Sequence, residues 1–223
     1  MKDLLTGMSF GIAKEGIPFI LFFAFCTLIF ALIDFKILSI LFLAMTFFVL
    51  NFFRDPERYP PYEENVVVSP ADGRVVEIKK VLDPISNIEK SRISIFMNIF
   101  NVHVNRSPVS GEIKEIKYIP GKFFNAELDK SSEKNERNLI NIKSEQGDFT
   151  VVQIAGLIAR RIVCWVKKGD KVLIGQRIGM IKFGSRVDLY IPSGYEIEVH
   201  KGDKVIAGQT IVAKKQGKNY EKR

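Results

Sequence analysis

Two uninterrupted apolar runs open the chain, and an alternating pattern follows them. IPFILFFAFCTLIFALI (17–33) and ILSILFLAMTFFVLNFF (37–53) carry no charge and are separated only by Asp34, Phe35 and Lys36. Each holds twelve Leu, Ile, Phe or Val residues. At roughly 0.3 to 0.6 kcal/mol apiece, membrane insertion gains about 4 to 7 kcal/mol per run. Seventeen helical residues reach about 26 Å, slightly less than a bilayer's hydrocarbon core. The pattern therefore predicts either a tight helical hairpin extended by flanking residues or a shallow, partly interfacial pair. A buried soluble hairpin is the plain structural alternative. A cleaved signal peptide is disfavoured, because no small-residue cleavage site precedes the second run.

RDPERYPPYEE (54–64) changes the texture. Prolines with mixed charges cannot continue a helix and read as a linker. Beyond it, residues 65–223 form short Val- and Ile-rich runs of period two, broken by Gly, Pro, Asn and Asp. That is a predominantly β pattern. The organisation expected is an anchor over 1–53, a linker over 54–64 and a β domain over 65–223.

The β region repeats itself twice. SPADGRVVEI from Ser69 is echoed by SPVSGEIKEI from Ser107, and KGDKVLIGQRI from Lys168 by KGDKVIAGQTI from Lys201. The second pair resembles the turn-and-strand signature of barrel-sandwich domains such as biotinyl and lipoyl carriers, so the fold class expected is mainly β and barrel-sandwich-like. Such carriers modify a lysine at a hairpin tip. Here Met180, Ile181 and Lys182 have the wrong spacing, which weakens the carrier reading. A membrane-anchored adaptor on the same barrel needs no modified residue and stays open.

Charge narrows the partners. The 223 residues carry 33 Lys+Arg against 25 Asp+Glu, a net charge of +8. An apolar content of 47% argues against disorder. A pI of about 9.4 suits an anionic membrane leaflet; nucleic-acid binding lacks a recognition helix or an aromatic-basic motif. Lys2 and Lys14 precede the apolar pair while Arg54 and Arg58 follow it, so both ends are expected on the cytoplasmic side of the inner membrane. Cys26 and Cys164 read as free thiols, and with only His103 and His200 no metal ligand set is expected.

MIKFGSRVDLYIP (180–192) reads as a strand interrupted at Gly184 and Ser185, which in isolation is a bulge. Yet SPADG (69–73), NVHVNRSP (101–108) and FGSRVDLYIP (183–192), in this order behind an apolar anchor, resemble the phosphatidylserine decarboxylase family in its short form. NIFNVHVNR, PGKFFNA and QIAGLIARRIVC extend the resemblance over nearly the whole chain. It implies self-cleavage between Gly184 and Ser185 into a β chain, 1–184, and an α chain, 185–223, that stay associated. Ser185 would become a pyruvoyl group, the electron sink for decarboxylation, forming a Schiff base with the amine of phosphatidylserine and releasing phosphatidylethanolamine. No other cofactor and no metal is implied, and homo-oligomerisation stays open.

The family's triad maps onto Asp72, His103 and Ser185. Asp-Gly is also a favoured turn pair. Alternation in IFNVHVNR sets His103 on the face opposite Val102 and Val104, where an exposed histidine is the bland reading. In the family this chain resembles, longer members often have two histidines in a pattern like HxxH, whose positions here are His103 and Arg106. His103 would then serve both cleavage and the later protonation, unless Arg106 or a water substitutes; an imidazole suits both roles. Arg160 and Arg161, in the apolar run QIAGLIARRIVCW, are candidates for the lipid phosphate or for structural salt bridges. The stretch 122–138 is either a lid or a solvated loop, and His200 is expected to face solvent. The alternatives are a pyruvoyl decarboxylase of a related substrate and the non-catalytic adaptor.

Overall fold

The computed structural model describes residues 11–121, 135–156, 161–182 and 185–216. Lys2, Arg160, Gly184 and residues 122–134 of the polar stretch lie outside the described residues. Contacts divide the chain into Met1–Glu57 and Arg58–Arg223.

The first unit is the apolar hairpin. A short 3-10 turn, Lys14–Gly16, leads into α1 (Ile17–Leu32), and α2 (Lys36–Phe52) follows. Pro18 lies at the start of α1, where its missing N–H costs nothing. Asp34 turns the chain with φ 59°. Both helices match the apolar runs to within one residue. Phe42 of α2 stacks on Phe30 and tilts against Phe23, with ring centroids 5.3 and 6.1 Å apart. No residue of α1 is buried. Among the described residues, Lys14–Leu32 is the one segment long and apolar enough to cross a membrane; α2 is shorter.

The second unit contains β1 (Val66–Val68), β2 (Gly73–Leu82), β3 (Glu89–Met97), β4 (Val104–Arg106), β5 (Gly111–Ile119), β6 (Arg137–Ser144) and β7 (Gly147–Ala155). It continues through β8 (Ile162–Cys164), β9 (Lys171–Val172), β10 (Arg177–Ile181), β11 (Ser185–Ile191), β12 (Tyr195–Ile197), β13 (Lys204–Val205) and β14 (Ile211–Lys215). An eight-stranded antiparallel sheet runs β13-β2-β3-β11-β7-β6-β5-β9, accompanied by the three-stranded sheets β1-β14-β12 and β4-β10-β8. Val75, Ile95, Ile113, Ile142, Phe149 and Val187 contribute to one apolar core.

The repeats in the sequence become a two-fold correspondence in the fold. Reading the large sheet from either edge gives the same series, with β13, β2, β3 and β11 answering to β9, β5, β6 and β7. Val66, Val67 and Val68 pair with Lys214, Ala213 and Ile211; Val104, Asn105 and Arg106 pair with Met180, Gly179 and Arg177, skipping one residue at the same point. The two Ser-Pro turns interlock, Val68 N–H donating to Pro108 O at 3.0 Å and Arg106 N–H to Pro70 O at 2.9 Å. Gly73 and Gly111 are required for the same reason. A Cβ on either would run into the carbonyl oxygen of the residue beside it, Phe96 or Lys143.

Several local expectations give way. The run MIKFGSRVDLYIP is not one strand: β10 and β11 belong to different sheets, and Ser185 begins the second. QIAGLIARRIVCW is likewise divided, since β7 ends at Ala155 and β8 starts at Ile162, leaving Arg161 exposed outside either strand. Alternation fails at His103. Val102, His103 and Val104 are all buried, because chain packs on both sides of the segment and period two distinguishes faces only when one is wet. The end of the polar stretch is not a solvated loop, since Asn135, Glu136 and Asn138 are buried. Cys26 and Cys164 are free thiols.

Candidate active site

Ser185 is fully buried at the first position of β11. The strand is flanked on both sides, which places Met97 of β3 and Ala155 of β7 opposite this residue. Its hydroxyl donates to Met97 Sδ at 3.5 Å. A thioether is a weak acceptor, so the oxygen keeps its lone pairs available.

Asp72 closes the SPADG turn immediately before β2. Arg74 of β2 pairs with Phe96, the neighbour of Met97, so the strand register carries this turn to the end of the sheet where Ser185 lies. Both carboxylate oxygens of Asp72 are held by Arg58, with Nη2 to Oδ2 at 2.8 Å and Nη1 on Oδ1. Oδ1 also accepts the Ala207 N–H at 2.8 Å, and Arg58 Nη1 donates to Ala207 O at 3.0 Å. The side chains of this ion pair are 8% and 11% exposed.

His103 precedes β4. Its carbonyl accepts the N–H of Ile181, the last residue of β10, at 3.3 Å, tying it to the segment that leads into Ser185. Nδ1 lies 2.9 Å from the carbonyl oxygen of Asn101. A carbonyl can only accept, so Nδ1 carries the proton and Nε2 is the basic atom of the neutral ring. The backbone of Asn101 thus orients this imidazole, while Asp72 is committed to Arg58 and Ala207.

The opposite half of the fold provides an internal comparison. Ser110 stands where Asp72 does, its Oγ accepting the Ile174 N–H at 2.9 Å. Gly147 pairs with Ser144 of β6 as Ser185 pairs with Met97 of β3, and His103, which precedes β4, has Asn65 before β1 as its counterpart in the Ser185 half. A serine is therefore enough to cap this turn. The carboxylate of Asp72, with Arg58, is an addition found only in the half containing Ser185.

The next residue anchors the strand. Arg186 points to the opposite face from Ser185, and its Nε and Nη2 bind Asp188 Oδ1 at 2.6 Å and Ser94 Oγ at 2.7 Å. Arg92 joins the same cluster. Burial disfavours its charge, but Asp188, Tyr190 and Glu77 outweigh that and push its pKa up. Burial, with the Asp188 charge, raises the Tyr190 phenol.

The remaining candidates separate. Arg161 is exposed, with its carbonyl accepting the Lys182 N–H at 3.2 Å. Arg106 is buried and donates to Gly175 O at 2.9 Å in the β9–β10 turn. His200 is exposed beside Asp203. Gly184 and Arg160 lie outside the described residues. Sequence reasoning missed Arg58, which reads as one more linker charge, and the buried amides Asn105, Gln153 and Asn138. For the amides a signal existed: polar residues inside apolar runs, in VHVNR, VVQIA and RNLINI.

A family model described as phosphatidylserine decarboxylase matches residues 45–213. A phosphatidylserine decarboxylase proenzyme of Solidesulfovibrio magneticus is 54% identical over 206 residues, covering 92% of this chain and 96% of that protein. One from Nitratidesulfovibrio vulgaris is 53% identical over 208 residues, covering 93% and 96%. One from Desulfotalea psychrophila is 48% identical over 206 residues, covering 91% and 96%.

Proposed function

The chain belongs to the phosphatidylserine decarboxylase family, and on that premise we propose that it is a membrane-anchored proenzyme that cleaves itself between Gly184 and Ser185 to make a pyruvoyl-dependent enzyme. Family membership supports decarboxylation of phosphatidylserine, a carboxy-lyase activity. The observation that carries the finer reading is the buried Ser185 hydroxyl against Met97 Sδ.

In the proposed maturation, Ser185 Oγ attacks the Gly184 carbonyl carbon, and the acyl group moves from nitrogen to oxygen. A base takes the hydroxyl proton, for which His103 Nε2 is the candidate. Removal of the Ser185 α-proton then drives Cβ–Oγ cleavage, and the oxygen leaves within the new Gly184 carboxylate. Hydrolysis of the dehydroalanine that remains yields the pyruvoyl terminus and ammonia. Serine is needed because one oxygen must be both nucleophile and leaving group.

The surroundings fit the product. A pyruvoyl methyl would replace the Ser185 CH2–OH against Met97 Sδ, and a polarisable thioether tolerates either. Asn105 and Gln153 supply polar atoms nearby without a charge that would hold the substrate's carboxylate. Once formed, the group would supply the electron sink that no ordinary side chain offers. Around it, His103 would deliver the proton to Cα, and Arg161 is the exposed candidate for the lipid phosphate. The unburied apolar surface of α1 and the net charge of +8 suit an enzyme that meets its substrate at an anionic bilayer. The basic residues flanking the hairpin orient the β unit to the cytoplasm.

Intact mass of the purified chain tests this directly. Two fragments, 1–184 and 185–223, with the smaller refusing Edman degradation, are expected. A single chain with an unmodified Ser185 would leave the non-catalytic adaptor.

A further inference from the structure

We propose that Asn105 is the hydrogen-bond donor to Ser185 Oγ when that oxygen departs during pyruvoyl formation, and that Gln153 and Asn138 are positioning residues that fix its orientation. The inference rests on the self-cleavage reading above.

Three buried amides form a directed chain. Asn138 Nδ2 donates to Gln153 Oε1 at 2.9 Å, and Gln153 Nε2 donates to Asn105 Oδ1 at 2.9 Å. Since Gln153 presents its nitrogen to Asn105, Asn105 must present its oxygen in return, and its NH2 faces the other way. There it meets Met97 Sδ at 3.8 Å, the same sulfur that receives the Ser185 hydroxyl at 3.5 Å. Both Asn105 and Gln153 are 0% exposed. A buried amide whose NH2 is spent on a weak acceptor is held in reserve for a better one.

The symmetry-related positions show that stability does not require amides at 105 and 153. Val67 occupies the register of Asn105, and Ile191, paired with Ser91, occupies that of Gln153, paired with Asn138. Both apolar residues lie fully buried in the main core. The same backbone therefore packs an aliphatic pair at these positions, and polarity appears only beside Ser185.

The chemistry calls for a donor there. As the Ser185 α-proton goes to the base, its electron pair becomes the Cα=Cβ bond, Cβ–Oγ breaks, and the bonding pair stays on oxygen in the Gly184 carboxylate. Charge grows on Oγ while Met97 Sδ can accept but not donate. An oriented N–H is the group that stabilises it.

The test uses the full chain with Asn105→Val/Gln153→Ile, which copies the symmetry-related pair, and Asn105→Asp, which keeps shape and the acceptor for Gln153 but lacks amide hydrogens. Cleavage is followed by gel, folding by thermal melting, and the ester form by hydroxylamine, which cuts an ester at position 185 but not an amide. Loss of one oriented donor corresponds to about 100-fold slower cleavage. We expect that slowing in both variants, with near-normal melting for the aliphatic pair and accumulation of hydroxylamine-sensitive chain. Wild-type cleavage rates, or slow cleavage of a hydroxylamine-resistant chain, would overturn the assignment. Should the aliphatic pair fail to fold, Asn105→Asp decides by the same criteria. Absence of cleavage in the unaltered chain would instead refute the self-cleavage reading itself.

Discussion

Arg58→Met should destabilise the β unit by about 3 to 5 kcal/mol, the cost of leaving one member of a buried ion pair without its partner. The pair is nearly closed to water, at 8% and 11% side-chain exposure. After the substitution Asp72 keeps only the Ala207 N–H, and Ala207 O loses the guanidinium donor. Asp72→Ser should cost a similar amount by stranding Arg58, although a serine can still cap the turn as Ser110 does for Ile174. Together the two changes recreate the arrangement of the other half. The double variant should therefore recover most of the loss and melt within a few degrees of the parent, a coupling energy of about 5 to 9 kcal/mol. The measurement is thermal unfolding in detergent of chains that also carry Ser185→Ala, so that all remain uncleaved, followed by fluorescence of Trp165, the single tryptophan. A loss below about 1 kcal/mol for Arg58→Met, or two losses that simply add, would refute the view that the pair is a closed unit.

The remaining expectations concern cleavage, protonation, acid stability and orientation. Ser185→Ala should remain one chain with no decarboxylase activity, whereas Ser185→Cys should still cleave slowly because a thiol can perform the acyl shift; mass spectrometry reads both. His103→Ala should slow maturation severely, and turnover per pyruvoyl group in whatever fraction matures should fall as well. Near-normal turnover there would confine His103 to cleavage. Burial opposes ionisation of Asp83, but bonds from Lys90, Ser86, Thr150 and Ile85 outweigh it and lower its pKa below 3.8. A lowered folded-state value means stability present above pH 3.8 and lost as pH falls through that lower value, so Asp83→Asn should flatten the melting profile below about pH 4. A reporter fused at Arg223 should behave as cytoplasmic, and a signal from the opposite side would mean that the hairpin does not return.

Local pattern carried part of this molecule a long way. The helical runs needed only uncharged length, and the turn motifs needed only Gly, Pro and Asp at fixed spacing, so both were legible. Pairing was not. The first Ser-Pro turn joins the second KGDK segment, with Ser69 N–H on Thr210 O at 2.8 Å, while the second turn joins the first, with Ser107 N–H on Gln176 O at 2.7 Å. Nothing in either repeat encodes that exchange; it follows from closing the two interlocked halves around one core. The same exchange also sets the position of Ser185 apart in three dimensions. Its counterpart Gly147 opens the second strand of the tight β6–β7 hairpin, reached from Ser144 by the two-residue turn Glu145–Gln146. In the Ser185 half, β3 and β11 are partners separated by 87 residues of chain between Met97 and Ser185. A turn that one half makes continuously is thus absent from the other, and β11 enters the sheet from elsewhere. Cleavage before Ser185 would therefore sever no hairpin, while β3 and β7 hold the strand from both sides and Arg186 grips Asp188 and Ser94. On the proposed maturation, these contacts would keep the new terminus in place.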